Sequence, residues 1–165
     1  MLVKQSAQHI FIGGGSSEPG DTTNVVDVLD HVVAEFDVDR IVRTDEIDGA
    51  PPCVVRGAFD AWTHALRAVI RDAILVSPVD QPVWLHVVAT RREVTLWVRD
   101  AGGGLLPACD VEALIDGPLF APVKAAVNAA GGALDVESVG AWGGCTVQMV
   151  LPLVKSAPDH ARVAA

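Results

Sequence analysis

Val98-Arg99-Asp100-Ala101-Gly102-Gly103-Gly104 is the stretch on which the reading of the fold turns: a β-rich run ends next to a carboxylate and passes at once into three glycines. Glycine accepts left-handed backbone and close approach of other chain, so a strand is expected to exit sharply here with Asp100 held at its end. Immediately before it, Val83 to Val88 and Val94 to Val98 are β-rich runs separated by polar Arg91 and Arg92, the pattern of an antiparallel hairpin. Upstream, Phe59, Trp62, Leu66, Val69 and Ala73 step by three and four within Ala58 to Val76, and Pro78 stops the pattern. This spacing predicts a long amphipathic helix that packs on a sheet. Asn24 is placed to cap an earlier helix running to about Phe36, and Arg40 to Arg43 reads as a short strand.

Downstream, Val111 to Ile115 reads as a short helix and Pro122 to Ala130 as a helix ended by Gly131-Gly132. Ala133 to Ser138 and Cys145 to Leu151 are closing strands, joined by a glycine-rich turn at Gly140 to Gly144. Helices that fall between strand pairs predict an α/β two-layer sandwich, a mixed β-sheet with helices on one face.

A chain of 165 residues, 50% of them hydrophobic, suits one domain with its own core. Its expected bounds are 24–154. Residues 1–23 read as a short segment plus a linker marked by Gly13-Gly14-Gly15-Ser16-Ser17 and Pro19-Gly20, and 155–165 as a disordered tail. A formal charge of -9 without a Lys/Arg cluster argues against nucleic acid and anionic membrane as partners. No apolar run is long enough for a bilayer and the start lacks a cleavable leader, so the expected location is cytoplasmic. Cys53, Cys109 and Cys145 are widely spaced and odd in number, which gives neither a disulfide framework nor a zinc pattern; all three are expected to be reduced core thiols.

The ordered set of helix, hairpin, Asp100 to Gly104, helix, Gly131-Gly132, strand, Gly143-Gly144-Cys145-Thr146, strand and Leu151-Pro152 resembles the catalytic ATP-binding domain of sensor histidine kinases, over about Asn24 to Leu153. That family belongs with the chaperone, gyrase and mismatch-repair ATPases and has the Bergerat-like fold. The resemblance implies ATP or ADP with magnesium as the ligand, held between the helical layer and the sheet. It further implies that Asp100 accepts a hydrogen bond from the adenine amino group, that Gly102 and Gly104 let the backbone approach the nucleotide, and that Thr146 supplies a hydroxyl at the rear of the pocket.

Departures from the family weigh against full activity. Asp72 stands where the family holds magnesium through an asparagine, and since aspartate can also ligate magnesium it is the expected metal-binding residue; but Ala68 replaces a polar residue one turn earlier, and Leu75 replaces the basic residue that meets phosphate one turn later. Where the family has a mobile lid ending in a glycine turn, this chain has Gly117-Pro118-Leu119-Phe120-Ala121-Pro122, with two residues that lack amide donors and with apolar bulk expected to pack down. A triphosphate deprived of cation and metal partners opposes its own binding, so a site that binds no nucleotide is the alternative. No phosphoacceptor hairpin is recognisable, and His31, His64 and His160 read as solvated or packed residues.

Strand alternation places Val83, Leu85, Val87, Val94, Leu96 and Val98 inward, leaving Trp84, His86, Val88, Thr95 and Trp97 on the face away from the helices. Trp84, Trp97 and Val88 are therefore the expected protein-binding or self-association surface. Three functional readings follow. The first is a degenerate pseudo-ATPase module of bacterial two-component signalling that binds a protein such as a kinase, phosphotransfer protein or response regulator. The second is a working kinase domain acting on a histidine or serine in another domain or protein. The third is a fragment of a histidine-phosphotransferase adaptor.

Overall fold

The computed structural model describes residues 20–47, 49–105, 109–138 and 143–154. Residues 1–19 of the expected N-terminal segment and linker, the tail and most of the Gly140 to Gly144 turn lie outside them. Strand β1 (Thr22–Asn24) leads into helix α1 (Val25–Val33). Asn24 caps that helix by accepting a hydrogen bond from the Val26 amide at 3.2 Å. The helix stops at Val33, short of Phe36, and its last amides tighten into i→i−3 bonds, Glu35 to Val32 and Phe36 to Val33; Val25, Val28, Leu29 and Val32 are its buried residues. After a 3-10 turn, Val38–Arg40, come β2 (Ile41–Glu46), β3 (Val54–Arg56), α2 (Phe59–Val76), β4 (Val83–Ala89) and β5 (Glu93–Arg99). The chain continues through α3 (Val111–Ile115), α4 (Ala121–Ala130), β6 (Ala133–Ser138) and β7 (Cys145–Pro152).

The main sheet has the order β2-β4-β5-β7-β6. β2 runs parallel to β4, and the other neighbours are antiparallel. β1 and β3 form a separate antiparallel pair. Period-two alternation buries Val83, Leu85 and Val87 on β4 against Val94, Leu96 and Val98 on β5, and Val147, Met149 and Leu151 continue the set on β7. Helices α1, α2 and α4 close over this face, so the architecture is the two-layer, mixed-sheet sandwich read from the sequence. Trp62 anchors α2: its side chain is 0% exposed and its Nε1 donates to the Arg56 carbonyl at 2.9 Å.

One core expectation is corrected. Cys53 is buried, but Cys109 is exposed and Cys145 only half-buried. Cys109 directly precedes Asp110, whose carboxylate caps α3 through the Glu112 and Ala113 amides, so it sits in a surface turn.

Candidate functional site

At the exit of β5 the backbone of Asp100 donates to the Cys145 carbonyl at 3.0 Å. Its carboxylate Oδ1 accepts from the Gly102 amide at 2.7 Å and the Cys145 amide at 3.1 Å. The bond to Gly102 is the local turn that an aspartate makes with the residue two ahead, and it folds the glycine stretch back on itself. The Ala101 amide donates to Ser77 Oγ at 2.9 Å, and that hydroxyl donates to the Ala73 carbonyl at 2.7 Å, tying the strand exit to the end of α2. Glycine is required where this turn meets the start of β7. Gly144 has φ +89°, and a Cβ there would lie 2.3 Å from the Asp100 carbonyl; Gly104 has φ +72°, and its Cβ would lie 2.7 Å from Ser138 Oγ.

Between this turn, α2, β7 and the α3–α4 connection lies a cavity of about 250 Å³. Val69, Ala73 and Val76 of α2 form one wall, and Val98 and Val147 form the floor. Leu114, Leu119 and Phe120 close the far side. Two carboxylates line it, Asp72 and Asp100, and among the described residues no Lys, Arg or His does. Burial, and then the nearby charge of Asp100, pushes the Asp72 carboxyl above its ordinary value. The Cys145 thiol is pushed up to about 11, first by burial and next by Asp100.

Arg71, which directly precedes Asp72, is exposed and does not line the cavity, and three further cations are engaged elsewhere. Arg99 leaves β5 on the opposite face and lies 5.5 Å from the centre of the Trp84 ring. Lys124 is paired with Asp116. Arg40 donates to the carbonyls of Ile74, Ser77 and Pro78 at 3.1 to 3.4 Å, closing the C-terminus of α2. At the start of α4 the amides of Phe120 and Ala121 both bond to the Gly117 carbonyl, at 3.2 and 3.1 Å, and Pro122 has no amide. Phe120 is buried against the core and Leu119 is 37% exposed at the cavity edge.

Of the residues singled out from the sequence, Asp72, Asp100, Gly102 and Gly104 meet at this cavity. Thr146 does not. It pairs across β7 with Arg99 and Glu137, while its neighbours Cys145 and Val147 line the cavity, so alternation turns the Thr146 side chain to the outer face. Cys145 holds the rear position that the resemblance gave to a hydroxyl. Counting back by twos from buried Leu151, Met149 and Val147 reaches Cys145, so the signal was present in the sequence. Leu75 is 72% exposed and, like Ala68, does not line the cavity.

On the outer face of the sheet, Trp84, Trp97 and Val88 are half-buried. They are less open than alternation alone implies, because a basic side chain lies against each indole: Arg99 on Trp84, and His86 on Trp97 with ring centres 5.2 Å apart. His86 also lies 3.4 Å from Glu46. Thr95 is buried between Val88 and Val150, its cross-strand neighbours.

No protein-family model and no curated protein sequence matches the chain. Solved structures do. A mycobacterial sensor histidine kinase, MprB, superposes with a TM-score of 0.67 at 22% identity, over 81% of this chain and 97% of that one. The catalytic domain of histidine kinase ThkA, in a nucleotide-free form, gives 0.65 at 12% identity over 82% and 98%. The Acinetobacter baumannii histidine kinase AdeS gives 0.61 at 16% identity over 82% and 68%. The chain therefore has the fold of the histidine-kinase catalytic ATPase domains, a fold shared across most of its length. Among the described residues no helix is long and apolar enough to cross a membrane.

Proposed function

We propose that this chain is a histidine-kinase-like ATP-binding domain of bacterial two-component signalling whose phosphate and metal end has been lost, and that it acts by binding a protein. The observation that carries this reading is the charge of the cavity: two carboxylates and, among the described residues, no cation. The adenine end of a nucleotide fits what is present, since apolar walls suit a flat base and Asp100 offers an acceptor to its amino group. The phosphate end does not fit. Like charges at ~4 Å repel by about 1 kcal/mol in water and ~4 kcal/mol near a protein surface, and the cations and helix-start amides that offset this elsewhere are engaged with other groups. Magnesium at such sites is held by one or two carboxylates together with the substrate phosphates, so Asp72 would ligate it only alongside a bound phosphate, for which the cavity offers no cationic partner among the described residues.

The surface offered to a partner is the outer sheet face at Trp84, Trp97 and Val88, a tryptophan-rich patch in a sandwich whose helices, among the described residues, cover the other side. The partner class is a signalling protein, whether kinase, phosphotransfer protein or response regulator, or a second copy of the chain. Incubation with γ-labelled ATP and magnesium, with and without a separately supplied phosphoacceptor hairpin, tests the loss of chemistry. No acid-labile phosphate on either protein is expected; label on the hairpin supports the second reading, a working kinase domain, and a stable phospho-histidine on this chain, lost on mutating one histidine, overturns the first.

A further inference from the structure

Resting on the reading of the cavity as a base-binding remnant, the geometry points to a site that now selects against anions: its ligand is a flat amino- or amidino-heteroaromatic without phosphate, and Asp72 is the residue that sets the preference for positive charge. Three observations place Asp72 in this role instead of that of a metal ligand. It shares one cavity of about 250 Å³ with Asp100, just below the roughly 300–1,000 Å³ typical of small-molecule sites and so suited to a single ring system. The rest of the lining is apolar side chains, glycines and a thiol that burial keeps protonated near neutral pH, which leaves the two carboxylates to set the field. Arg99, next to Asp100 in sequence, lies over Trp84, Lys124 is paired with Asp116, and Arg71, next to Asp72, is exposed and does not line the cavity.

The two acids have different duties. Asp100 Oδ1 takes the Gly102 and Cys145 amides, and among the described residues no donor engages Oδ2, which leaves that oxygen as the acceptor for an exocyclic amine. Asp72 lines the cavity at a half-buried position beside Asp100, and no hydrogen bond or ion pair among the described residues gives it a cationic partner. A ligand that brings a positive charge relieves that condition, whereas one that brings phosphate aggravates it. The same feature that disables a kinase site thus builds a cation-selective one.

Calorimetric titration of the full chain with adenine, AMP and 2-aminobenzimidazole, a planar cation at neutral pH, separates the possibilities. The expected order is 2-aminobenzimidazole tightest, adenine next, AMP weakest. In Asp72→Asn, an isosteric change at a half-buried position whose folding is checked by circular dichroism, 2-aminobenzimidazole weakens at least tenfold, AMP tightens severalfold, and adenine changes less than twofold. Adenine, AMP and 2-aminobenzimidazole binding with equal affinity, or unchanged affinities for AMP and 2-aminobenzimidazole in Asp72→Asn, overturns the charge selection while leaving the base site intact. Absence of binding by all three overturns the base site itself.

Discussion

At the scale of single residues, one oxygen organises the site. Oδ1 of Asp100 holds the glycine turn and the start of β7 together, and the glycines at Gly104 and Gly144 exist because those two pieces of backbone touch. The role that the resemblance gave the glycines, close approach to a ligand, is thus joined by a structural demand that needs no ligand. Cys145, beside this turn, is carried from an ordinary 9.0 up to about 11, so it holds roughly a hundredfold less thiolate at neutral pH than an ordinary thiol. Cys53 is likewise pushed up by burial, whereas Cys109 is exposed. Iodoacetamide at pH 7.5 followed by peptide mapping is expected to modify Cys109 first and Cys145 at least tenfold more slowly; equal rates would show that the cavity is far more open to water. Asp72 and Asp100 were legible in the sequence because an ordered series of motifs brackets them. Thr146 was misplaced because the motif match was set one residue off the strand's alternation, which its buried neighbours define.

Among elements, α2 carries the most. Its buried stripe of Trp62, Ala65, Leu66, Val69, Ile70 and Ala73 faces the sheet, and the same helix brings Asp72 to the cavity one residue off that stripe. Trp62→Ala removes the largest fully buried side chain and leaves the Arg56 carbonyl without its donor, so a loss of about 3–5 kcal/mol is expected in urea denaturation. A loss below about 1 kcal/mol would mean that the α2 anchor is not what holds the helical layer. The long periodic elements were readable in sequence for the reason that they are buried on one side. β1 and β3 were not, since three-residue strands show no periodicity, and their pairing depends on the chain meeting itself across thirty residues. β2 extends past Arg43 to Glu46 because its charged residues pair locally, Arg43 with Asp30 and Asp45, on an edge strand where polarity costs little.

For the whole molecule, the two faces of the sheet divide the labour. One is sealed by helices and frames a cavity with a negative interior; the other presents half-buried tryptophans backed by Arg99 and His86. If the outer face is the interaction surface, Trp84→Ser with Trp97→Ser lowers self-association or partner binding at least tenfold by light scattering, with the domain still folded; unchanged association would leave the tryptophans as ordinary sheet residues. The central claim concerns the other face, that the histidine-kinase fold here has kept a base pocket and lost its grip on phosphate. Its most direct test is a calorimetric comparison of adenosine with Mg-ATP on the full chain. Equal or weaker binding of Mg-ATP, unaffected by removing magnesium with EDTA, is predicted. Mg-ATP binding more than tenfold tighter than adenosine, lost with EDTA and in Asp72→Ala, would contradict it.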